Sequence, residues 1–232
     1  MKIVYNHSKV IKQPKQALLI LEDKITKSLK KKEPIDIKAF SSELHDIGDA
    51  FVSRSEVEYL NKHGKRFAEN LVKLGDNNLA GIIYSLIIRV NPKQSTIVEQ
   101  VATNALAIAK RLSDPVHIMA RANDLKEIYK FTQPGSEKHL RTLQTEKRAL
   151  NAICTNYEGV QKRYRTLKRE MRPIEAYELK LAAIRFEIAE ILANTNKQAA
   201  IEELLAAKEI ILKHGKGKLH KQIEKLLAEL KK

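Results

Sequence analysis

A cluster of basic side chains at residues 161–172 is the part of the sequence whose composition most clearly suggests chemistry. Arginine outnumbers lysine in this stretch, Tyr164 lies in its middle, and Glu170 is its only acid. Arginine guanidinium groups donate paired hydrogen bonds that fit phosphate and carboxylate oxygens. The sequence therefore predicts an anion-binding helical face, with nucleic acid as the candidate ligand. Its basic residues are Lys162, Arg163, Arg165, Lys168, Arg169 and Arg172.

Four of these residues share one side of a helix, because they lie at positions i, i+3, i+4 and i+7 counted from Arg165. A phosphate-binding surface is one interpretation of this spacing. A solvated outer face of a long helix is the other, and both stay open at this point.

Motifs for catalysis or cofactor binding are absent from the sequence. Neither of the glycine-rich phosphate-binding patterns occurs, the H-E-x-x-H zinc motif is missing, and the seven histidines are not at metal-ligand spacing. The single cysteine, Cys154, falls on an apolar helical seam, which predicts a small core residue and not a nucleophile. We therefore expect a protein that is not an enzyme and that needs no cofactor or metal ion.

The composition narrows the fold class. Of the 232 residues, 43% are hydrophobic, so the chain can bury a sizeable core. Aromatic residues make up only 5%, tryptophan is absent, and there are just 8 glycines and 6 prolines, which argues against an all-β fold. A single cysteine excludes an intramolecular disulfide, and no signal peptide or membrane-spanning stretch is recognisable. These features predict a soluble, cytoplasmic protein that does not bind membranes.

The net charge of +15 comes from 43 lysines and arginines against 28 acidic residues. This excess is spread almost evenly along the chain, whereas a dedicated nucleic-acid-binding tail would concentrate it. Most of the excess lysines and arginines are therefore interpreted as residues on solvated helix faces. Only the cluster at 161–172 is interpreted as a candidate site.

Apolar residues recur every three or four positions, which predicts a series of amphipathic helices. Proline and glycine separate the helices, and three N-caps are expected: Ser53, which Glu56 would complete as a capping box, Asp76, and Asp114 or its neighbour Ser113. The predicted helices cover residues 14–31, 35–51, 57–74, 77–90, 94–112, 116–131, 136–171, 174–193, 197–213 and 219–230.

The segment at 136–171 has an average apolar spacing of 3.5 residues, which resembles a coiled-coil seam. We interpret it as one long helix, or as two nearly collinear helices kinked near Gly159. Pairing of two copies through this seam leaves a homodimer open. The seam residues are Leu140, Leu143, Lys147, Leu150, Cys154, Tyr157, Gln161, Tyr164, Lys168 and Met171.

An internal repeat is visible in the helical pattern. Asn78 precedes Tyr84 by six residues, Asn123 precedes Tyr129 by the same interval, and an isoleucine stands just before each tyrosine. Residues 186–194 give a weaker echo of this pattern. Each occurrence begins a predicted pair of antiparallel helices, and the pairs cover residues 76–113, 115–171 and 173–213.

Two stretches resemble the tetratricopeptide-repeat superfamily. Residues 119–129 are similar to that family's first helix, with Ala122, Leu125 and Tyr129 at its core spacing. Residues 188–192, followed by Ala200, Leu204 and Ala207, are similar to a complete repeat. The resemblance covers residues 76–213 and departs from the family in pair length and in Lys126 and Lys138, which stand where small residues are usual. An unrelated helical bundle with the same spacing is the alternative.

The resemblance implies an all-α solenoid of stacked helical hairpins, with residues 1–75 as an N-terminal helical segment packing on it and 76–232 as the repeat domain with a C-terminal capping helix. It further implies a non-enzymatic scaffold or adaptor that binds a peptide or helix of a partner protein in its groove. The groove residues would be Asn78, Asn123, Lys130 and Arg185. The core residues would be Tyr84, Leu125, Tyr129, Ile188 and Leu192. A nucleic-acid-binding protein that uses the basic face is the alternative function.

Overall fold

The structure, a computed structural model, describes residues 11–91, 96–166, 170–215 and 217–231. Within these ranges the chain forms eleven α-helices and no strand, so the predicted all-α fold is confirmed. The helices are α1 (Pro14–Lys30), α2 (Ile37–Ser53), α3 (Val57–Lys73), α4 (Asn77–Val90), α5 (Thr96–Arg111), α6 (Pro115–Thr132), α7 (Glu137–Thr155), α8 (Tyr157–Thr166), α9 (Ile174–Leu192), α10 (Lys197–His214) and α11 (Lys218–Leu230).

Side-chain caps determine where several helices begin. The Asp76 carboxylate accepts a hydrogen bond from the backbone N–H of Leu79 at 3.0 Å, which satisfies a donor that has no partner inside the helix. Asp114 caps α6 in the same way, with Pro115 in the first turn. Both of these predicted N-caps are confirmed.

The predicted N-cap at Ser53 is wrong. Ser53 is the last residue of α2, and its hydroxyl donates to the carbonyl of Ala50 at 3.0 Å. The next helix begins after Glu56, whose side chain makes no capping hydrogen bond. Between them Ser55 has a φ of 57°, in the left-handed region. The turn between α2 and α3 is therefore made by backbone geometry, and not by a capping box.

The segment at 136–171, interpreted as one long helix or as two helices kinked near Gly159, is two helices in the structure. They are separated at Asn156, whose φ of −129° and ψ of 44° are not helical, and not at Gly159, which lies inside α8. The second helix ends at Thr166, and residues 170–173 are not helical. This shortening matters for the basic cluster, as described below.

The described residues up to Leu112 form one compact unit, and those from Ser113 onward form a second. In the first unit, α4 packs against α2, α3 and α5, and its apolar sequence fits this position, because Ile83, Leu86 and Ile87 are all fully buried. The boundary predicted between residues 75 and 76 differs from this division. It would separate α3 from α4, which share one hydrophobic core.

In the second unit the long helices pack in chain order, with α6 on α7, α7 on α9, α9 on α10 and α10 on α11. This gives two stacked hairpins followed by a final helix, the solenoid-like arrangement that was predicted. The seam residues Leu143 and Leu150 are fully buried and pack against Leu181 and Ile184 of α9. These residues of the predicted apolar seam therefore pack against another helix of the same chain.

The residues predicted to form the core contribute to the hydrophobic cores of the two units. Tyr84 is buried in the first unit, and Leu125, Tyr129 and Ile188 are buried in the second. Leu192 is partly buried against the same cores. Among the described helices, none combines the length and the apolar character that crossing a bilayer requires.

Candidate functional site

The four residues predicted to line a peptide groove are divided between the two units. Asn78 is exposed in the first turn of α4, in the first unit. In the second unit, Asn123 is half-buried and Lys130 is exposed on α6, and Arg185 is half-buried on α9. The polar surroundings of these three residues are described first.

Helices α6 and α9 lie side by side and run in the same direction. Lys180 donates a hydrogen bond to Asn123 Oδ1 at 3.3 Å, and further along both helices Lys126 Nζ lies 3.8 Å from Glu187 Oε1. Parallel first helices are what stacked hairpins produce. Long polar side chains thus fill the space between these two helices.

Glu146 of α7 lies beneath these pairs and is fully buried. Its Oε1 lies 2.8 Å from Lys180 Nζ and its Oε2 lies 3.7 Å from Lys126 Nζ. A buried carboxylate without a nearby cation would cost several kcal/mol, and these two ammonium groups supply the opposite charge beside Glu146.

Arg185 is engaged in a second set of ion pairs. Its Nη1 lies 2.6 Å from Glu203 Oε2 of α10, and Lys147 of α7 binds the other oxygen of the same carboxylate. Both Asn123 and Arg185 therefore have partners within their own unit. Lys130, by contrast, is exposed at the end of α6.

A groove that sequence analysis missed lies in the first unit, between α3 and α5. Three adjoining depressions of about 590, 520 and 300 Å³ lie there, and each pair of them has one lining residue in common: Ile97, Glu69 or Asn104. Together they outline a channel, which a 2.8 Å hydrogen bond from Lys65 Nζ to Gln100 Oε1 crosses. We call this channel the α3–α5 groove. The side of α3 from Glu58 to Lys73 faces the side of α5 from Thr96 to Arg111, so the two helices run in the same direction.

Charged side chains line the edges of the α3–α5 groove. Its lining holds five cations and three carboxylates: Lys62, Lys65, Arg66, Lys73 and Arg111, and Glu58, Glu69 and Glu99. Two of the cations are paired, Lys65 with Glu69 at 3.9 Å and Arg66 with Glu22 at 3.8 Å. The other three, Lys62, Lys73 and Arg111, have no acidic partner in the part of the chain that the structure describes.

Apolar groups also contribute to the lining of the α3–α5 groove. Val72, Ala107 and Ile108 contribute to its lining near Lys73, and Ile97 does so at the other end. Tyr84 reaches the groove from α4, and burial, together with the charge of Glu69, raises the pKa of its phenol in spite of a hydrogen bond with Asn104. The lining of the groove thus combines apolar side chains with exposed cations.

The basic cluster is only partly on a helix. Lys162, Arg163 and Arg165 are exposed on α8, whereas Arg172 is exposed in the non-helical stretch before α9. The predicted single helical face from Arg165 to Arg172 is therefore wrong, because Arg172 does not lie in a helix. Two further residues of the cluster, Lys168 and Arg169, lie outside the described residues.

A buried acid lies next to α8. Asp114 is 4% exposed, accepts hydrogen bonds from the backbone N–H groups of Val116 and His117, and has its Oδ2 3.2 Å from the His117 ring. Burial alone would raise the pKa of Asp114, but hydrogen bonds from His117 and Tyr164 prevail and lower it to about 2. This carboxylate is charged at neutral pH and connects the start of α6 with α8, so its environment is that of a structural group.

Among the described residues, there is neither a group of side chains that could hold a metal ion nor a cysteine with a lowered thiol pKa. No group of three potential ligands among them could hold a metal ion. Cys154 is half-buried, and burial, with the charge of Glu178, raises the pKa of its thiol. The sulfur is therefore kept in its less reactive protonated form.

Comparison with known proteins identifies no relative. No protein-family model matches the chain. No curated protein matches it significantly either.

Two groups of residues thus escaped the sequence analysis. The ion pairs around Glu146 left a signal, because Glu146 interrupts the apolar spacing between Leu143 and Leu150, where an acid is unexpected. The α3–α5 groove left almost none, since its lining comes from two helices whose relative position is not encoded in local spacing.

Proposed function

We propose that this protein is a non-enzymatic interaction module and that its α3–α5 groove binds an acidic amphipathic helix of a partner protein. The observation that carries the proposal is the groove itself, whose lining combines apolar side chains with an excess of cations over carboxylates. Helices that dock in grooves of this kind use an apolar face for affinity and charged flanks for orientation.

The length of the groove suits a helix of about four turns. The lining of α3 extends from Glu58 to Lys73, which corresponds to about 22 Å at 1.5 Å per residue. A partner helix of about 15 residues would cover this distance, with apolar side chains every three or four residues facing the base of the groove.

The charge pattern favours an acidic partner. Lys62 lies near one end of the groove, Lys73 and Arg111 lie at the other, and all three are exposed. Acidic side chains on both flanks of a docked helix would meet these cations, whereas a basic helix would be repelled by them.

The groove that the tetratricopeptide resemblance implies is a less favourable place for the same ligand. Asn123 and Arg185 would first have to give up Lys180 and Glu203, their partners within the second unit. Loss of Glu203 would leave the half-buried charge of Arg185 unpaired. We therefore assign peptide binding to the first unit, and the cytoplasmic setting predicted from composition is part of the same proposal.

Display of random 16-residue peptides against the intact protein tests this assignment. Enriched sequences are expected to be acidic and to carry apolar residues at helical spacing. In fluorescence anisotropy, the double variant Lys62→Glu/Arg111→Glu should bind a labelled enriched peptide at least tenfold more weakly than the unchanged protein does. Lys38→Glu, a reversal of an exposed cation on α2 away from the groove, should leave the affinity within twofold.

Two results would overturn the proposal. One is a library that enriches no acidic amphipathic sequence in spite of a folded protein. The other is an enriched peptide whose affinity responds equally to the groove variant and to the Lys38→Glu control.

A further inference from the structure

Helix α8 in the second unit has two clearly different sides. Tyr164 is buried, and Tyr157, Val160 and Gln161 on the same side are half-buried. The opposite side is exposed and polar, and carries Glu158, Gly159, Lys162, Arg163, Arg165 and Thr166. Apolar side chains are thus confined to the inner side of the helix.

The cations on the exposed side have no acidic partners. Lys162, Arg163 and Arg165, and also Arg172, make no ion pair within the described part of the chain. Other basic residues of the second unit behave differently: Lys126, Lys147, Lys180 and Arg185 are all paired with carboxylates. The free cations are therefore not needed to neutralise the unit, and the exposed carboxylates Glu158, Glu170 and Glu175 lie near them in sequence.

Hydrogen bonds hold this short helix in place. The Tyr164 hydroxyl lies within hydrogen-bond distance of both carboxylate oxygens of Asp114, at the start of α6. The Tyr157 hydroxyl donates to the carbonyl of Arg172 at 2.7 Å, which brings the chain at Arg172 back beside the beginning of α8. Arg172 is thus attached to the same surface although it is not helical.

We propose that the exposed side of α8, together with Arg172, binds the phosphate backbone of a nucleic-acid duplex without reading its sequence. Arginine and lysine that are exposed, unpaired and held on a fixed scaffold match the regularly spaced phosphates of a duplex. This surface lies in the second unit, and its ligand is independent of the one assigned to the α3–α5 groove.

A duplex fits the surface better than the other polyanions do. Single strands are bound largely by stacking of bases on exposed aromatic rings, but Tyr164 is buried and Tyr157 is half-buried on the inner side. A membrane-binding helix places apolar side chains on its lipid-facing side, and the exposed side of α8 has none.

Fluorescence anisotropy with a labelled 20-base-pair duplex, as DNA and as RNA, tests the proposal on the full chain. Four phosphate contacts predict that the logarithm of the binding constant falls with the logarithm of salt concentration with a slope of about −3.6. The double variant Arg163→Glu/Arg165→Glu should weaken binding at least tenfold and make the slope shallower by about 2 units. Comparison of the two duplexes distinguishes RNA from DNA.

A matched double reversal, Lys197→Glu/Lys218→Glu, removes the same charge from exposed positions on α10 and α11 and should change the affinity less than threefold. The groove variant Lys62→Glu/Arg111→Glu should likewise bind the duplex normally, which separates this proposal from the first. Circular dichroism of each variant confirms that it is folded.

Several results would overturn the duplex assignment. These are no binding to either duplex at 50 mM salt, equal weakening by the two double reversals, tighter binding of a 20-nucleotide single strand than of the duplex, or binding only to vesicles that contain phosphatidylserine.

Discussion

The hydroxyl of Tyr164 lies 3.1 Å from each carboxylate oxygen of Asp114. The two residues come from different helical elements, and the same carboxylate caps α6 through the N–H of Val116 at 3.0 Å. One buried acid therefore starts one helix and fixes the helix that carries the exposed cations. The predictions below begin with this contact.

Replacement of Asp114 by asparagine is expected to destabilise the second unit in a pH-dependent way. The folded-state pKa of Asp114, about 2, lies below the unfolded value of 3.8, so the charged form stabilises the fold above pH 4 and this contribution is lost as the pH falls toward 2. The difference corresponds to about 2 kcal/mol at pH 7 and to about half of that at pH 3. Urea unfolding of both proteins at pH 7 and pH 3 measures it.

A matched variant, Tyr164→Phe, removes only the hydrogen bond from α8 and leaves the cap of α6 intact. It should cost about 1 kcal/mol. If Asp114→Asn lowers the free energy of unfolding as much at pH 3 as at pH 7, the assigned ionisation of Asp114 is contradicted.

The buried pairs around Glu146 should show strong energetic coupling. Glu146→Leu leaves Lys126, which is only 6% exposed, without its buried partner and is expected to cost about 3 kcal/mol or more. The double variant Glu146→Leu/Lys126→Met should cost clearly less than the sum of the two single variants. Unfolding free energies of the four proteins give the coupling energy, and additive values would show that the two charges do not depend on each other.

Replacement of two helical glycines by alanine should change the stability of the first unit in opposite directions. A Cβ at Gly48 of α2 would lie 2.5 Å from Cδ1 of the fully buried Leu86, so Gly48→Ala should destabilise the first unit by about 1–3 kcal/mol. A Cβ at Gly81 of α4 meets nothing within 4 Å, so Gly81→Ala should stabilise it by about 0.5–1 kcal/mol. Thermal unfolding measures both, and equal effects would contradict the close approach of α2 and α4.

Stability should also fall in mildly acidic solution through His139. Burial, with the charges of Lys126 and Lys130, lowers the pKa of His139, and its Nδ1 accepts a hydrogen bond from the N–H of Gly135. The unfolded chain therefore binds the proton more readily, and stability decreases as the pH falls below 6.5. In His139→Gln the decrease between pH 7.5 and 5.5 should be smaller. An unchanged pH profile would show that other groups are responsible.

Local patterns predicted the helices well because each signal acts within a few residues. Asp76 and Asp114 begin helices through contacts with their own next turn, so their roles could be foreseen from sequence. Ser53 has the same side-chain chemistry but ends a helix, because the left-handed backbone at Ser55 makes the turn instead. A capping residue shows that a boundary is near, but not always on which side of it the residue lies.

The candidate sites depended on contacts that local patterns do not contain. The chain after α8 turns back so that Tyr157 reaches the carbonyl of Arg172, and this turn removed Arg172 from the predicted helical face. The cations of the α3–α5 groove could be identified as charged helix positions, but their arrangement around one channel depends on how α3 and α5 flank α4. The sequence therefore predicted which side chains are exposed better than it predicted which of them act together.

Hydrogen exchange of the intact protein, with and without an enriched acidic peptide, tests the central claim most directly. The proposed binding in the α3–α5 groove predicts slower exchange in segments that cover Val57–Lys73 and Thr96–Arg111, with α6, α9 and α10 unchanged. Protection confined to α6 and α9, with α3 and α5 unchanged, would contradict it and would return peptide binding to the second unit.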